Sequence, residues 1–194
     1  MIFQGKAIQC QASEDGIALL TFDLIGESTN VFNKLTLDEL GQCLESIKKT
    51  DGIKGLLLKS QKEHFILGAD IFEFLGHMKM SDEQMASWLT NTNKVFNGFE
   101  DLPYPTVTAI NGFAFGGGFE ICLTTDYRVG TPKTKVGLLE TKLGIIPGWG
   151  GTVRLPRLTG ADQAIEWITS GKQWRPEDAL KVGALDAVVE PDYL

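Results

Sequence analysis

Apolar residues recur at two different spacings along the chain, and the spacing switches several times. Between residues 36 and 48 they recur at steps of three and four, which predicts an amphipathic helix. Thr36 is the expected N-cap of this helix, with Glu39 as its capping-box partner. A longer helix is predicted over residues 81–99, because acidic residues stand in its first turn and a glycine near its end. Shorter helices are predicted from Gly116 onward and at residues 69–76, 151–155, 161–170 and 176–181.

Short apolar and β-branched runs separate these helices and predict strands. They occupy residues 7–12, 17–24, 53–59, 106–110, 126–130 and 135–138. The turn Glu14-Asp15-Gly16 joins the first two strands and predicts a β-hairpin. Strands that alternate with helices indicate an α/β fold, while the hairpin at the start argues against a pure Rossmann arrangement. Units of two strands and a helix, repeated irregularly, favour a short spiral.

Composition and charge narrow the possible functions. The chain has 194 residues and a formal net charge of -7, which argues against a nucleic-acid-binding face. Cys10, Cys43 and Cys122 are far apart in sequence, so neither a disulfide framework nor a zinc site is expected. The two histidines, His64 and His77, also lack the spacing of metal ligands. No metal site is therefore predicted.

The targeting signals of secreted and membrane proteins are not found in the sequence. The first residues do not resemble a signal peptide, because they contain neither a long apolar region nor a cleavage site of small residues. No apolar run approaches the roughly 18 residues that span a bilayer. A cytoplasmic protein without a transmembrane segment is the expectation.

A glycine-rich turn carries the clearest chemical signal. The strand at residues 106–110 leads into Gly116-Gly117-Gly118, which opens a helix with Glu120 in its first turn. The first N–H groups of a helix have no partner within the helix, and glycines let a ligand approach them closely. No Walker A pattern is present, and a carboxylate there would repel a phosphate. An oxyanion with a proton carrier beside it fits better, although the glycines could instead serve only close packing.

Two further segments offer candidate site residues. Glu140 follows a short apolar strand in a loop beside glycines, where a carboxylate can face a cleft or remain solvated at the surface. The stretch Gly68-Ala69-Asp70 ends a loop at a helix start. Its backbone N–H groups provide a possible second oxyanion donor, while Asp70 is also a natural helix cap. Trp149, between glycines, lines an acyl pocket or packs in the core.

Together these segments resemble the crotonase superfamily of enoyl-CoA hydratases and isomerases. The matching stretches are FILGADI at residues 65–71, AINGFAFGGGFE at residues 109–120 and GLLETKLGIIPGWGG at residues 137–151. Within the superfamily, residues 124–128 and 140–148 are most similar to the N-terminal hydratase/isomerase part of the α-subunits of bacterial fatty-acid oxidation complexes. The resemblance implies a crotonase-like spiral of ββα units. It also implies that residues 1–194 form one hydratase/isomerase domain belonging to a longer multifunctional chain.

The resemblance also implies roles for individual residues. Glu120 and Glu140 match the two catalytic carboxylates, and Ala69 and Gly117 match the positions whose backbone N–H groups form the oxyanion hole. The expected activity is hydration of trans-2-enoyl-CoA to 3-hydroxyacyl-CoA in fatty-acid β-oxidation, with possible isomerisation of 3-enoyl-CoA. Four further residues are expected to contact the substrate, namely Gly68, Asp70, Gly116 and Trp149.

Cofactor and partner expectations follow from the same resemblance. Hydration needs no metal or redox cofactor, and CoA arrives as part of the acyl-CoA thioester substrate. A homo-oligomer, or in a longer chain a complex with a thiolase subunit, is the expected assembly, with no nucleic-acid partner. The sequence departs from the family in two places. Leu139 replaces the usual proline, and the usual C-terminal helices are missing.

Two other functions remain open at the level of sequence. One is another crotonase-type acyl-CoA enzyme, such as a hydrolase, a dehalogenase or a dienoyl-CoA isomerase. The other is a non-catalytic acyl-CoA-binding module, although the presence of both glutamates argues against it. A dinucleotide-binding domain fits poorly, since its glycine fingerprint and partner acid are missing.

Overall fold

A computed structural model describes residues 1–194 as nine strands and seven α-helices. The strands in chain order are β1 (Phe3–Gln4), β2 (Ile8–Ala12), β3 (Ile17–Phe22), β4 (Gly55–Ser60), β5 (Thr106–Ile110), β6 (Phe113–Phe115), β7 (Tyr127–Gly130), β8 (Lys135–Gly137) and β9 (Ala187–Val188). The α-helices are α1 (Lys34–Lys48), α2 (Ile71–His77), α3 (Asp82–Glu100), α4 (Gly117–Cys122), α5 (Gly151–Thr159), α6 (Ala161–Ser170) and α7 (Pro176–Lys181). Short 3₁₀ helices occur at Glu140–Leu143 and Pro191–Tyr193.

Seven strands form one mixed sheet in the order β1-β2-β3-β4-β5-β7-β9. The first three strands are antiparallel, and β2 and β3 form the predicted hairpin, with Ile8 opposite Phe22 and Ala12 opposite Ala18. From β3 onward every pair is parallel, so each connection must cross over the sheet. The helices supply most of these crossovers, which confirms the predicted α/β class.

A second, smaller ladder runs beside the first sheet. Strands β6 and β8 pair in parallel, and Ile66 bridges in parallel to Ala114 of β6. Phe32 in turn bridges in parallel to Ala69, which extends the ladder to a fourth segment. The chain thus alternates between a strand of the large sheet, a short segment of the small ladder and a helix. This repeat is the crotonase-like spiral that the sequence resemblance implied.

Aromatic side chains fill the space between these layers. Phe22 meets Phe32 and Phe65 edge to face, at ring-centroid distances of 6.1 and 5.8 Å. Phe32 also packs against Phe96 of α3 and against Trp149, at 5.7 and 5.5 Å. Such pairs add stability beyond the burial of their area. The core therefore joins the large sheet, the small ladder and α3 at one place.

The start of α1 differs from the sequence prediction. The helix begins at Lys34, and the cap is Asn33, whose side-chain oxygen accepts the N–H of Thr36 at 2.9 Å. Glu39 is not a capping-box partner, because its buried carboxylate accepts the backbone N–H groups of residues 6, 7 and 8 at 2.8–3.0 Å. Two of these donors, the N–H groups of Ala7 and Ile8, are buried and need an acceptor within the protein. Strands β1 and β6 were not predicted either.

The long helix α3 follows the predicted pattern closely. Ser81 caps it in a capping box with Gln84, and the helix ends at Glu100. None of the helices in residues 1–194 combines the length and the hydropathy that crossing a bilayer requires.

The cap assignment is testable by stability. Replacing Asn33 with Ala removes the acceptor for the Thr36 N–H and should lower the free energy of unfolding by about 1 kcal/mol in urea denaturation. Asn33→Asp keeps an acceptor and should stay close to the unsubstituted protein. Equal stability of the Ala variant and the unsubstituted protein would contradict the cap.

Candidate active site

Three parallel segments of the small ladder end at the same edge, and the predicted site residues follow those ends. Ala69 ends the segment at residues 65–69, Gly116 and Gly117 follow β6, and Glu140 follows β8. Ligands commonly bind beyond the carboxyl ends of parallel strands, where loops from different strands meet. Here these residues line one cleft of about 1040 Å³.

The glycine-rich turn passes between tightly packed neighbours. Gly116 has a φ of 51°, which favours glycine, and its N–H donates to the carbonyl of Gly137 at 2.9 Å. A Cβ at Gly117 would overlap the ring of Trp149, and one at Gly118 would overlap the carbonyl oxygen of Ile66. Close packing thus explains Gly118 fully. It does not explain the direction of the Gly117 N–H.

Two backbone N–H groups at the cleft have no acceptor within the protein. In the parallel bridge with Phe32, the carbonyl of Gly68 and the N–H of Asp70 face the partner, so the N–H of Ala69 points the other way. Gly117 is the first residue of α4 and has no partner within the helix. Both residues line the cleft. They are therefore available to an oxygen atom of a ligand.

Glu120 lies in the first turn of α4 and is only 2% exposed. Its Oε1 accepts the N–H of Trp149 and the N–H of Gly151, both at 2.8 Å. Burial and the negative charge of Glu140 raise the pKa of Glu120 to about 8, while these two N–H groups and Arg154 act in the opposite direction. This carboxyl can consequently carry a proton near neutral pH.

Glu140 begins the 3₁₀ helix after β8 and reaches the same cleft. Its Oε1 lies 3.2 Å from the position that a Cβ of Gly116 would take. Its Oε2 is buried without a hydrogen-bond partner. Burial raises the pKa of Glu140 to about 7. Two carboxyls that titrate near neutrality thus face one cleft, as acid–base chemistry requires.

The remaining predicted residues divide into two groups. Gly68, Gly116 and Trp149 line the cleft with the two glutamates. The Asp70 side chain instead accepts the N–H groups of Phe72 and Glu73 and caps α2, so its structural role is that of a helix cap. Leu139, at the position of the usual proline, lies in the cleft wall directly before Glu140.

Sequence reasoning missed an apolar wall of the cleft. It is formed by α2 and the residue after it, by the first half of α3, and by the end of the 3₁₀ helix with the loop that follows. The residues are Phe74, Met78, Met85, Trp88, Leu89, Leu143, Ile145 and Ile146. The only signal was the apolar periodicity of the two helices, which is equally typical of an ordinary core face. It also missed Arg154, which is 5% exposed and hydrogen-bonded to Trp149.

The histidines and cysteines lie elsewhere. His64 stacks on Phe113 with ring centroids 4.1 Å apart, and His77 packs against Trp88. The three cysteines are free and buried. No group of three His, Cys, Asp or Glu side chains in residues 1–194 is arranged to hold a metal ion.

The family of the chain follows from comparison with known proteins. The sequence model described as enoyl-CoA hydratase/isomerase matches residues 12–194. The chain belongs to the enoyl-CoA hydratase/isomerase family. A crystal structure of an enoyl-CoA hydratase from Bacillus anthracis is 32% identical and superposes with a TM-score of 0.86, over 96% of this chain and 71% of that one. An enoyl-CoA hydratase from Shewanella pealeana superposes with a TM-score of 0.90 at 25% identity, over 96% and 69%.

Members of this family also occur as parts of longer chains. The fatty acid oxidation complex subunits alpha of Pseudomonas putida (strain GB-1) and Pseudomonas aeruginosa (strain LESB58) are each 56% identical to this chain over all 194 residues. The 194 residues span only 27% of the length of these relatives. The family is thus established, and the closer resemblance to the α-subunits is confirmed.

The packing of the glycine turn can be tested by stability. Gly118→Ala places a methyl group against the Ile66 carbonyl and should lower the free energy of unfolding by about 1–3 kcal/mol or more. Gly76→Ala is the matched control, because its Cβ meets nothing within 4 Å and the position is helical. The control should be neutral or stabilising by about 0.5–1 kcal/mol. Similar stabilities of the two variants in urea denaturation would be inconsistent with this packing.

Proposed function

We propose that this domain hydrates trans-2-enoyl-CoA thioesters to 3-hydroxyacyl-CoA, as a step of fatty-acid β-oxidation. One observation supports this most strongly. Two carboxyls with pKa values raised to about 8 and about 7 share a cleft with two backbone N–H groups that have no acceptor within the protein. Addition of water across a conjugated thioester needs these two kinds of group, and family membership names the same reaction class.

The N–H groups of Ala69 and Gly117 form the proposed oxyanion hole. When water attacks C3 of the enoyl group, electrons move onto the thioester oxygen and an enolate develops. Two fixed N–H donors stabilise that charge more than they stabilise the neutral carbonyl, so they lower the barrier. Loss of one such donor typically costs about 10²–10³ in rate. Because both donors belong to the backbone, side-chain substitution does not remove them.

The two glutamates hold the water and divide its protons. In the proposed cycle Glu120, as a carboxylate, takes a proton from the water while its oxygen bonds to C3. Glu140, protonated, delivers a proton to C2 as the enolate collapses to the thioester. The net change is one water added, with both carboxyls exchanged in protonation state. A closely interacting pair titrates as a unit, so the working form is the pair with one proton.

Isomerisation of 3-enoyl-CoA is a second activity of the same pair. A carboxylate removes a proton from C4 while the oxyanion hole stabilises the dienolate, and a carboxylic acid returns a proton to C2. The supporting observation is again that both carboxyls border one cleft. Neither reaction consumes a redox cofactor or metal, and CoA belongs to the substrate.

The proposed assembly follows from the relatives. Proteins 56% identical to this chain are called fatty acid oxidation complex subunit alpha, which supports a multifunctional complex as the setting. A thiolase subunit is the proposed partner, as the family resemblance implies. A homo-oligomer of the domain is the alternative assembly.

Substitution of each glutamate tests the proposal. Glu120→Gln and Glu140→Gln should each lower kcat for hydration of crotonyl-CoA by about 10²–10⁴-fold, because each removes one proton-transfer group. Calorimetric binding of a saturated acyl-CoA should persist. Glu166→Gln, an exposed glutamate on α6, is the matched control and should leave kcat unchanged. A glutamine variant of the pair with unchanged turnover, or an unsubstituted chain that binds acyl-CoA without turnover, would refute the proposal.

The pH dependence gives an independent test. The pair carries a single proton mainly between pH 7 and pH 8, from the pKa values of about 7 for Glu140 and about 8 for Glu120. These values place that proton mostly on Glu120, so the reactive form is the one in which it has passed to Glu140. The rate should fall below about 7 because both carboxyls are protonated, and above about 8 because both are ionised. A plot of kcat/KM against pH should therefore be bell-shaped with its maximum between 7 and 8. A flat profile from pH 5.5 to 9.5 would contradict a carboxyl pair as the acid and base.

A further inference from the structure

The carboxyl of Glu120 depends on a loop that it does not belong to. Residues 147–151 supply both N–H groups that bind its Oε1, from Trp149 and Gly151. A shift of this loop moves the two donors together. What holds the loop therefore decides where the carboxyl lies and which protonation state it favours.

Side chains from two helices bind the carbonyl groups of this loop. Asn93 of α3 donates from Nδ2 to the carbonyl of Gly148 at 2.9 Å. Arg154 of α5 donates from Nη1 to the carbonyl of Trp149 at 2.9 Å. Since the N–H of Trp149 binds Glu120, the guanidinium and the carboxyl hold the same residue from opposite sides.

Arg154 is itself fixed by α3. Its Nε donates to Oε2 of Glu100 at 2.8 Å, and its Nη2 donates to Oδ1 of Asn97 at 2.6 Å. Gly150 provides the space, because a Cβ there would overlap Nη1, and its φ of 103° suits only glycine. A rigid, nearly buried guanidinium thus lies directly behind the loop. An exposed arginine has no such constraint.

We infer that Arg154 is a positioning residue for the proposed hydratase reaction, acting on Glu120 through the peptide groups of Trp149 and through its charge. The inference rests on the proposed function for its effect on turnover. Its effect on the titration of Glu120 does not depend on turnover.

The charges around Glu120 set the direction of the expected effect. Helix α4 packs against β6, which carries no charged residue, and against α5, which carries Arg154 and Arg157. It also meets α6 through Phe119 and Trp167, and the charged residues of α6, Asp162 and Glu166, are exposed. Across the cleft the 3₁₀ helix brings Glu140 and Lys142. Glu140 opposes ionisation of Glu120, and Arg154 favours it. Glu100 of α3 partly neutralises Arg154, with which it forms an ion pair of 2.7 Å.

Removal of the Arg154 charge should therefore raise the pKa of Glu120, so that Glu120 keeps its proton to higher pH. In Arg154→Gln the alkaline limb of the profile of kcat/KM against pH should move to higher pH, by several tenths of a unit to about one unit. Displacement of the loop should lower kcat by about 10–10²-fold, because misplaced catalytic groups lose rate steeply, with KM nearly unchanged. A variant that is merely less stable would show neither the shift of the alkaline limb nor a lower kcat at nearly unchanged KM.

Arg157 is the matched control. It lies one turn further along α5, its side chain is 70% exposed, and it approaches the same Glu100 at 3.9 Å. Arg157→Gln removes the same charge without touching the loop, so its alkaline limb and its kcat should match those of the unsubstituted protein. A limb that moves as far in Arg157→Gln as in Arg154→Gln would overturn the inference.

Two further variants, Arg154→Lys and Glu100→Gln, test the inference even if Arg154→Gln does not fold. Arg154→Lys retains the charge and loses the bidentate geometry, so its limb should stay in place while kcat falls. Glu100→Gln retains an acceptor for Arg154 and removes the opposing charge, so its limb should move to lower pH. A limb that stays in place or moves to higher pH in Glu100→Gln would overturn the inference.

A direct titration separates this inference from the proposed function. The ¹³C chemical shifts of glutamate carboxyls report the protonation of Glu120, assigned with Glu120→Gln, whether or not the protein turns over. An unsubstituted protein without hydratase activity would refute the proposed function alone. Equal Glu120 titration curves in the unsubstituted protein and in Arg154→Lys, with a higher apparent pKa in Arg154→Gln, would support the charge effect. Identical curves in all three proteins would refute that effect.

Discussion

Two backbone N–H groups converge on one oxygen of a buried carboxyl, and much of the site is arranged around that contact. Glu120 comes from α4, while Trp149 and Gly151 come from the loop before α5. Burial of an ionised carboxyl is energetically unfavourable unless the group is hydrogen-bonded or becomes protonated. Glu120 accepts two hydrogen bonds and also has a raised pKa. The N–H groups hold the carboxyl in place and lower its pKa, but burial and the charge of Glu140 raise the pKa by more. The result is a group with a fixed position and an adjustable charge.

The small parallel ladder explains how distant segments reach this contact. Its segments at residues 65–69, 113–115 and 135–137 end together, so the loops that follow them must share one space. Ala69, Gly117 and Glu140 are separated by up to 71 residues in sequence, yet each lies at the end of one segment or shortly after it. The ladder is short, but Phe32, Phe96 and Trp149 pack it against α3. Site geometry therefore depends on the aromatic core as much as on the loops.

Local patterns predicted those elements whose apolar periodicity or β-branched run is visible within the element itself. Residues 106–110, 161–170 and 176–181 were predicted with the bounds that β5, α6 and α7 have in the structure. The short strands β1 and β6 were missed, because strands of two or three residues contain too few positions to show an alternation of their own. The cap of α1 was misplaced for a different reason, since the polar role of Glu39 is defined by the distant N-terminal strands.

The site residues likewise differ in how far the sequence could predict them. Glu120 was recognisable from the glycines around it, and Glu140 from its loop. Their proximity in one cleft follows from the tertiary structure, and the catalytic roles given to them stay predictions. Arg154 carried no local signal, because its partners Asn97 and Glu100 lie more than 50 residues away and its target is a carbonyl group.

The attachment of α3 to the loop at residues 147–151 also couples local unfolding of this helix to the site. Three successive turns of this helix are joined to the peptides that hold Glu120. Asn93 binds the loop directly, while Asn97 and Glu100 bind it through Arg154. The first half of α3 meanwhile forms part of the apolar wall of the cleft. A local opening that detaches α3 thus disturbs the buried carboxyl of Glu120 and the apolar wall of the cleft together. Detachment of α3 alone is therefore expected to weaken ligand binding and to displace Glu120 in the same event.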